Sequence, residues 1–343
     1  MSKPLLSIIV PVFRAEDSIE ELVESLEQQS FNDYELILVN DITQNEEHTI
    51  LTTEVIKKLE KKYNNIVRID MPHTRYQGHA RNEGMKYAKA DYITFADSDD
   101  WYAPNFFEVI VPEIKKNDFE LLFFNAYTMN YDKFICYLLD KPSKETFIEE
   151  KGFQKFLHGK FAHQVGNSPW NKIFLKSIID KYDIQNEFEK KTCEDLLFNL
   201  EYFGAIKKYR YINKPLYYYQ LNMDIVKTDV YRPYNLEEEK KFNKAVDRIA
   251  KKYQFSDYYR WLGIFLLRHF PGQILNESSN DNYNEAKEHI KLYLKEENNA
   301  KAFKNIKLRD LDFKLWVSYI LLKTRLYKSV LFILYKKKHK NKK

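Results

Sequence analysis

Runs of consecutive apolar residues alternate with amphipathic stretches through the first half of the chain. Residues 5–10 are almost wholly apolar, as expected of a strand that is buried on both faces. A helix is predicted after it, because Ser18 and Glu21 have the spacing of a capping box and apolar residues recur on one helical face. Strands are predicted at residues 5–10, 34–39, 65–69, 92–96 and 119–124. Strands that alternate regularly with helices predict βαβ units and a mostly parallel sheet flanked by helices.

The second half of the chain is less regular and more charged. Its first part predicts helices at residues 147–158 and 194–203 and strands at residues 207–212 and 216–219. Beyond about residue 230 the hydrophobic pattern is almost wholly helical. We therefore predict two domains: an α/β domain at residues 1–229, and a mainly helical domain with a basic tail at residues 230–343.

The basic character of the chain is confined to its last residues. The formal net charge is +5, but residues 336–343 contain six lysines, and without them the charge is −1. The body of the protein is therefore not predicted to bind nucleic acid. The chain is also rich in aromatic residues, with 26 Tyr and 24 Phe. Such residues suit surfaces that stack on sugar rings, although an A/T-rich genome raises the same residue types.

Two cysteines and the first residues of the chain bear on the compartment. Cys136 and Cys193 are far apart and form no CxxC pair, so neither a disulfide framework nor a zinc site is predicted. The chain runs from Met1 into a strand without the pattern of a signal peptide. We predict a reducing, cytoplasmic location.

Acidic residues cluster where two of the predicted strands end. The second strand runs into Asn40-Asp41, and the fourth runs into Asp97-Ser98-Asp99-Asp100. Ligands of open α/β sheets bind beyond the carboxyl ends of the strands. Neighbouring carboxylates repel one another unless a cation neutralises them, and oxygen ligands favour Mn²⁺ or Mg²⁺ over zinc. The pattern therefore predicts a divalent metal site at this edge of the sheet.

Two other interpretations of the acidic cluster stay open. In the first, Asp99 or Asp100 caps a helix that begins near Pro104. In the second, the cluster is the DxD nucleophile of haloacid-dehalogenase phosphatases. That motif is disfavoured because Trp101 stands where it has Thr or Val, and because the cluster follows the fourth strand rather than the first.

Several short motifs follow one another within residues 5–222. They are SIIVPVF at 7–13, SLEQQS at 25–30, VNDIT at 39–43, ARNEG at 80–84, ADSDDW at 96–101, NKIF at 171–174, CEDLLF at 193–198 and LYYY at 216–219. Together and in this order they resemble the motifs of the inverting, GT-A-fold bacterial glycosyltransferases called family 2. The resemblance implies a Rossmann-like GT-A sheet, followed by the helical C-terminal region.

The resemblance implies a donor side of the site. The nucleotide is expected to be held by Pro11, Phe13, Asp41, Arg81 and Asp97. Asp99, together with Asp97, is expected to bind the metal. Phe13 could instead be a core residue, and Arg81 could be part of a surface ion pair. Asn40, Ile42, Thr74 and Tyr76 depart from the family pattern, and His73 and His79 are expected to be hydrogen-bonding accessories near the site.

The resemblance also implies an acceptor side. Asp195 is expected to be the base that removes the proton of the acceptor hydroxyl, with Glu194 supporting it. Taken alone, this acidic pair would simply open a helix, where acids are favoured. Trp170 and Asn171 are expected to border the acceptor, and a place in the core suits Trp170 equally well.

The implied activity is metal-dependent, inverting sugar transfer. A sugar would move from a nucleotide diphosphate, usually a uridine nucleotide, to a hydroxyl of a glycan or lipid-linked glycan in a cell-surface polysaccharide, wall polymer or glycoprotein. A sugar-phosphate nucleotidyltransferase would need a Gly-rich loop after the first strand, and residues 12–16 contain no Gly. A non-catalytic subunit would lack Asp99 or Asp195, and both are present.

The last apolar stretch predicts a surface helix. Residues 313–335 are mostly apolar but are interrupted by Lys323, Arg325 and Lys328, so no membrane-spanning helix is predicted. With the lysine tail, the stretch suits peripheral contact with the inner face of the cell membrane. Packing on the body of the protein, or on a second subunit of a homo-oligomer, fits the pattern equally well.

Overall fold

In a computed structural model of the chain, the described residues are 3–73, 77–130, 133–137, 146–149, 168–187, 193–220, 236–255, 257–275 and 283–332. The chain divides into two units, residues 1–223 and residues 224–343. The predicted domain boundary at residue 230 falls in residues 221–235, outside the described ranges, and it stays a prediction.

Ten strands of the described chain form one sheet in the first unit. They are β1 (Leu6–Val12), β2 (Tyr34–Ile42), β3 (Ile66–Pro72), β4 (Tyr92–Phe95), β5 (Trp101–Tyr102), β6 (Leu121–Asn130), β7 (Lys133–Tyr137), β8 (Thr146–Glu149), β9 (Lys172–Leu175) and β10 (Tyr209–Gln220). Their order is β3-β2-β1-β4-β9-β6-β10-β5, with β7 beside β6 and β8 beside β10. The first four are parallel, as are β6 and β10. The remaining pairings are antiparallel.

Helices cover the two faces of this sheet. Those of the first unit are α1 (Ile19–Glu27), α2 (Glu47–Lys62), α3 (Gln77–Tyr87), α4 (Phe106–Lys116), α5 (Lys176–Tyr182) and α6 (Glu194–Ala205). On one face, Ile8 and Val10 of β1 belong to the same buried cluster as Leu22 of α1 and Ile110 of α4. On the other face, α3 packs against Ile9 of β1. A strand buried on both faces explains the unbroken apolar run from which β1 was predicted.

The α/β prediction is confirmed, and the sheet proves to be mixed. The predicted helix at 194–203 is present as α6. The predicted helix at 147–158 is wrong where it can be compared, because Thr146–Glu149 is a strand; residues 150–158 lie outside the described residues. Ser18 does precede α1, but its side chain makes no capping hydrogen bond. Strands of two to five residues are too short for their periodicity to be recognised, so the antiparallel strands were not predicted.

The register of the parallel strands gathers their carboxyl ends at one edge. Val12, the last residue of β1, pairs with Asn40, and Ile9 pairs with Phe95 at the end of β4. Asn40 in turn pairs with Asp70 of β3. The residues that follow these strands therefore share the edge where open α/β sheets bind ligands.

The second unit is helical in its described residues. It contains α7 (Leu236–Lys252), α8 (Tyr258–Leu275), α9 (Tyr283–Lys295), α10 (Glu297–Asn305), a 3₁₀ turn (Leu308–Asp310) and α11 (Phe313–Lys323), and residues 327–332 are also helical. Helix α8 packs so closely on α10 that a Cβ on Gly263 would lie 2.5 Å from the carbonyl oxygen of Ala302. None of the described helices combines the length and the apolar character needed to cross a bilayer. The lysine tail, residues 336–343, lies outside the described residues.

Candidate active site

An aromatic and acidic cluster lies at the ends of β1, β2 and β3. The ring of Phe13 stacks on that of His73, with 4.8 Å between centroids and 21° between planes. His73 Nδ1 lies 3.0 Å from Oδ1 of the buried Asp41, and the guanidinium of Arg14 lies 4.9 Å from the Phe13 centroid. Phe13 is 39% exposed and is therefore not a core residue, whereas Pro11, two residues earlier, is buried within β1. A partly exposed aromatic ring next to a fixed carboxylate suits a planar base that carries hydrogen-bond donors.

Arg81, in the middle of α3, connects the end of β4 with the start of α6. Its side chain is fully buried, and its Nη2 donates to Asp97 Oδ1 at 2.9 Å. Its Nη1 donates to Asp195 Oδ1, and Nη2 also lies 3.2 Å from Gln77 Oε1. Burial alone would lower the pKa of Arg81, but the charges of Asp195 and Asp97 raise it above its ordinary value. One buried cation therefore holds the predicted nucleotide ligand and the predicted base in fixed positions.

Close packing explains why α3 carries glycines around Arg81. A Cβ on Gly84 would lie 2.4 Å from Ile9 Cγ2, so only glycine lets the helix approach β1 this closely. A Cβ on Gly78 would lie 2.8 Å from Asn186 Cβ. The side chain of Asn82 accepts from the backbone nitrogen of Asn186 at 2.8 Å and donates to its carbonyl oxygen at 3.1 Å. The ARNEG motif thus fixes both the helix and the segment before α6.

Glu194 and Asp195 are the first two residues of α6. Cys193, which precedes them, has a φ of 66°, a strained value for a residue other than glycine. Burial raises the pKa of Asp195, and the charge of Arg81 opposes this rise. Burial and the charge of Asp195 raise the pKa of Glu194 to about 7. The Asp195 side chain is 30% exposed, so a hydroxyl can approach it.

The acidic cluster after β4 is held in place by β10. Asp97 N donates to the hydroxyl of Tyr217 at 3.0 Å, and Asp100 Oδ1 accepts from the backbone nitrogen of Gln220 at 2.7 Å. Burial, with the charges of Asp97 and Asp99, raises the pKa of Asp100 well above its ordinary value. The interpretation of the cluster as a helix cap is wrong, because Asn105 is the N-cap residue of α4.

The cluster fits a divalent cation that is bound together with a nucleotide. In the described part of the chain, no three His, Cys, Asp or Glu side chains form a metal site by themselves. Mg²⁺ in nucleotide sites is usually held by one or two carboxylates and by substrate phosphates, not by an all-protein cage. Asp99 is exposed, and its charge adds to that of Asp97 near the buried Asp100. This concentration of negative charge would suit a divalent cation, which Asp97 and Asp99 would help to hold.

Trp170 and Asn171 are both buried in the first unit. Trp170 stacks on Tyr217 at 4.7 Å and on Tyr219 at 5.1 Å between ring centroids, and it belongs to the core cluster. Asn171 Nδ2 donates to the carbonyl oxygen of Phe124 at 3.2 Å. These positions favour a supporting role for both residues over direct contact with an acceptor.

Three residues of the site were not singled out from the sequence. Tyr217 holds the backbone of Asp97, and Asn186 is bonded to Asn82. Lys172 is fully buried, its Nζ donates to Asn171 Oδ1 at 2.8 Å, and burial lowers its pKa well below the ordinary value. Lys172 lies in the NKIF motif and Tyr217 in the LYYY motif, so the family resemblance could have pointed to both residues. A lone Asn between predicted elements carries no such signal.

A separate cavity of about 410 Å³ lies between α1 and β5. Its lining in the described chain includes Glu21, Gln28, Trp101 and Tyr218, and none of the residues predicted to bind the nucleotide or to act as base. The predicted site is an open edge of the sheet, and this cavity is distinct from it.

Comparison with known proteins identifies the family. The model of glycosyl transferase family 2 matches residues 7–183, more than half of the chain. The chain is 26% identical over 235 residues to the uncharacterized glycosyltransferase EpsJ of Bacillus subtilis. This alignment covers 67% of this chain and 65% of EpsJ. The chain is 29% identical over 227 residues to the poly(ribitol-phosphate) beta-N-acetylglucosaminyltransferase TarP of Staphylococcus aureus, covering 63% of each. The chain thus spans slightly under two thirds of the length of these relatives.

Solved structures show the same fold. Residues 1–349 of S. aureus TarS, in complex with UDP, align with a TM-score of 0.64 at 20% identity, over 94% of this chain and 88% of that one. The same part of TarS in complex with UDP-GlcNAc aligns with a TM-score of 0.63 at 20% identity, over 92% and 91%. The predicted GT-A fold and the predicted family are confirmed. The chain belongs to glycosyl transferase family 2.

Proposed function

We propose that the protein transfers a sugar from a uridine-diphosphate donor to a hydroxyl of a cell-surface polymer, with inversion at the anomeric carbon. The observation that carries this proposal is the pairing of buried Arg81 with both Asp97 and Asp195. Asp97 follows β4 at the edge where the carboxyl ends of the parallel strands gather, and Asp195 is the second residue of α6. The proposed nucleotide ligand, Asp97, and the proposed base, Asp195, are therefore both paired with Arg81.

The proposed donor side uses the ends of β1, β2 and β4. The base stacks on Phe13, while Asp41, held by His73, accepts hydrogen bonds from the base. Pro11, which is buried near the end of β1, lines the base, and Asp97 contacts the ribose. The TarS structures with UDP and UDP-GlcNAc support a uridine nucleotide as the donor.

The proposed metal is Mn²⁺ or Mg²⁺, held by Asp99 and Asp97. Such an ion, when bound, stabilises the negative charge that builds up on the nucleoside diphosphate as the sugar leaves. Asp97 keeps its place through the hydrogen bond from Arg81 and through Tyr217. Arg81 contacts Asp97 and Asp195 through the Oδ1 atom of each carboxylate. The Oδ2 atom of Asp97 is therefore not used by Arg81.

Asp195 is the proposed base. A sugar or polyol hydroxyl is a weak nucleophile near neutral pH, and a carboxylate in reach removes its proton as the new bond forms. Arg81 opposes the effect of burial on the pKa of Asp195 and so favours the ionised form that a base requires. Attack from the side opposite the leaving diphosphate converts an α-linked donor into a β-linked product. The name of TarP, a β-N-acetylglucosaminyltransferase, is consistent with this stereochemistry.

The proposed acceptor is a wall polymer or a related surface glycan, free or linked to lipid. Relatives that carry poly(ribitol-phosphate) in their names support a hydroxyl-rich polymer as the acceptor. We propose a cytoplasmic site of action, since the sequence has only two cysteines, Cys136 and Cys193, which lie far apart and form no disulfide framework.

A panel of nucleotide sugars tests the donor. Purified protein is incubated with Mn²⁺ and each sugar nucleotide, and the slow release of nucleoside diphosphate is measured. We expect one uridine-diphosphate sugar to stand out from the guanosine and thymidine donors. Equal release from all donors, or from none, would contradict the proposal.

Substitution of Asp195 tests the base. We expect Asp195→Asn to keep UDP affinity within about twofold while it slows transfer by 10²–10⁴-fold, roughly the contribution of a general base. Asp180→Asn, which removes an exposed carboxylate on α5, is the matched control and should transfer at the normal rate. Normal transfer by Asp195→Asn would show that another group removes the proton.

A further inference from the structure

Helix α11 of the second unit has an inward face that packs on its own unit. Tyr319 and Leu322 are buried, and the hydroxyl of Tyr319 donates to the carbonyl oxygen of Phe303 at 3.2 Å. Asp312 caps the start of the helix by accepting from the backbone nitrogen of Leu315 at 3.0 Å. These contacts fix the rotation of α11 about its axis.

The opposite face of α11 is also apolar, which is unusual for a helix at a surface. Successive residues of a helix are turned by about 100°. The half of α11 opposite Tyr319 and Leu322 therefore carries four apolar residues: Phe313, Trp316, Val317 and Ile320. Phe313 is 78% exposed and Trp316 is 40% exposed, and their rings stack at 6.3 Å. A helix that is apolar on all sides normally has its outer face covered.

Lysines flank this outer apolar face. By the same rotation, Lys314 lies on one side of it and Lys323 on the other, and both are exposed. Arg325 and Lys328 follow, next to the exposed apolar side chains of Leu326 and Phe332. From residue 313 to residue 343 the sequence has ten Lys and Arg and no Asp or Glu.

We propose that α11 and residues 324–332, which follow it, dock on an anionic lipid bilayer. Phe313 and Trp316 would enter the headgroup region, and the flanking cations would contact lipid phosphates. A bilayer offers an apolar interior and a negative surface side by side, which is the pattern that α11 presents. A second copy of this chain would bring the same cations, Lys314, Lys323, Arg325 and Lys328, to the interface, and like charges repel. This inference does not depend on the proposed sugar transfer.

Vesicle flotation tests the proposal with the full chain. One set of vesicles is pure phosphatidylcholine, and in the other phosphatidylglycerol makes up about a third of the lipid. We expect binding to the anionic vesicles, at least about tenfold weaker binding to the neutral ones, and weakening by salt. The variant with Lys314→Gln and Lys323→Gln should bind anionic vesicles less tightly by about fivefold for each charge removed.

The apolar part of the proposal is tested by Phe313→Glu combined with Trp316→Glu. We expect about tenfold or greater loss of binding to anionic vesicles, with an unchanged far-UV circular dichroism spectrum. Ile50→Glu, at an exposed apolar position of α2, is the matched control and should bind as the wild type does. Full binding by the Phe313 and Trp316 variant would overturn the proposal. The proposal would also be overturned if wild type sedimented as a dimer without lipid and this variant sedimented as a monomer.

Discussion

At the scale of single residues, Arg81 decides the electrostatics of the site. It is buried without exposure to water, and each of its two terminal nitrogens donates to one carboxylate. A buried arginine is stable only when it is paired, so removing either partner leaves a costly charge in the core. Arg81 therefore fixes the position of Asp97 relative to Asp195.

Glu194 predicts a pH dependence of stability. Its pKa is raised from 4.5 to about 7, so between these pH values the folded protein holds a proton that the unfolded chain has lost. Stability therefore falls as the pH rises from about 4.5 to about 7. Glu194→Gln removes this titration. We expect the melting temperature of the variant to exceed that of wild type by about 2–5 °C at pH 8, and the difference to disappear near pH 4.5.

The control for this experiment is Glu20→Gln, which replaces an exposed acid in the first turn of α1. Its melting temperature should differ from wild type by the same small amount at both pH values. A melting difference for Glu194→Gln that did not change with pH would mean that Glu194 keeps an ordinary pKa in the folded protein.

Phe13 is predicted to bind the base by stacking. Loss of one base–aromatic stack costs about 1–3 kcal/mol, so Phe13→Ala should weaken UDP binding by roughly tenfold or more. Titration calorimetry with UDP and Mn²⁺ measures the change. Tyr87→Ala, at another exposed aromatic position, is the control and should leave the affinity unchanged. Unaltered UDP affinity of Phe13→Ala would place the base elsewhere.

At the scale of elements, helix α3 positions the site through its contact with the sheet. Gly84 lets the helix approach β1, and Asn82 binds the segment that leads to α6. Movement of α3 would shift Arg81 relative to both Asp97 and Asp195. The ARNEG motif thus supplies both the glycine that lets α3 pack closely on β1 and the arginine that pairs with the two carboxylates.

Gly84→Ala tests this packing. The new methyl would lie 2.4 Å from Ile9 Cγ2 and 3.1 Å from Val39 Cγ2. Alanine favours the helix by about 1 kcal/mol, but overpacking of a core costs about 1–3 kcal/mol, so we expect net destabilisation and slower transfer. Urea unfolding and initial rates measure the two effects. Lys86→Ala, an exposed change on the same helix, should alter neither by much.

Prediction from sequence succeeded best for elements with an unbroken apolar run or a clear amphipathic pattern. The apolar runs of β1 and β2 and the amphipathic pattern of α1 were sufficient to locate them, because burial on one or two faces determines the residue types there. Strand β8 was predicted as part of a helix. It has four residues, and its partner β10 is about sixty positions away, so its pairing leaves no local pattern.

At the scale of the whole molecule, the proposed metal links nucleotide binding to stability. A ligand that binds only the folded protein stabilises it by about 2.7 kcal/mol at a hundred times its dissociation constant. We expect UDP with Mn²⁺ to raise the melting temperature of wild type, and EDTA to abolish most of that rise. Asp99→Ala should show little rise even with Mn²⁺ present.

The nearby Asp91→Ala is the control for Asp99→Ala, because it removes an exposed acid just before β4. It should keep the full metal-dependent rise. If Asp99→Ala were stabilised by UDP and Mn²⁺ as strongly as wild type, the metal would have to bind elsewhere.

The sequence by itself determined the α/β class, the family and most of the candidate residues, because strand periodicity and short motifs are local properties of a chain. It did not reveal that Arg81 joins Asp97 to Asp195. Arg81 and Asp195 are 114 positions apart, and their contact depends on how α3 and α6 pack on the same face of the sheet, over Ile9 and Phe95. The roles of Asn186 and Tyr217, and the uncovered outer face of α11, were likewise decided only by the tertiary structure. Contacts between distant segments arise from packing, and no local pattern records them.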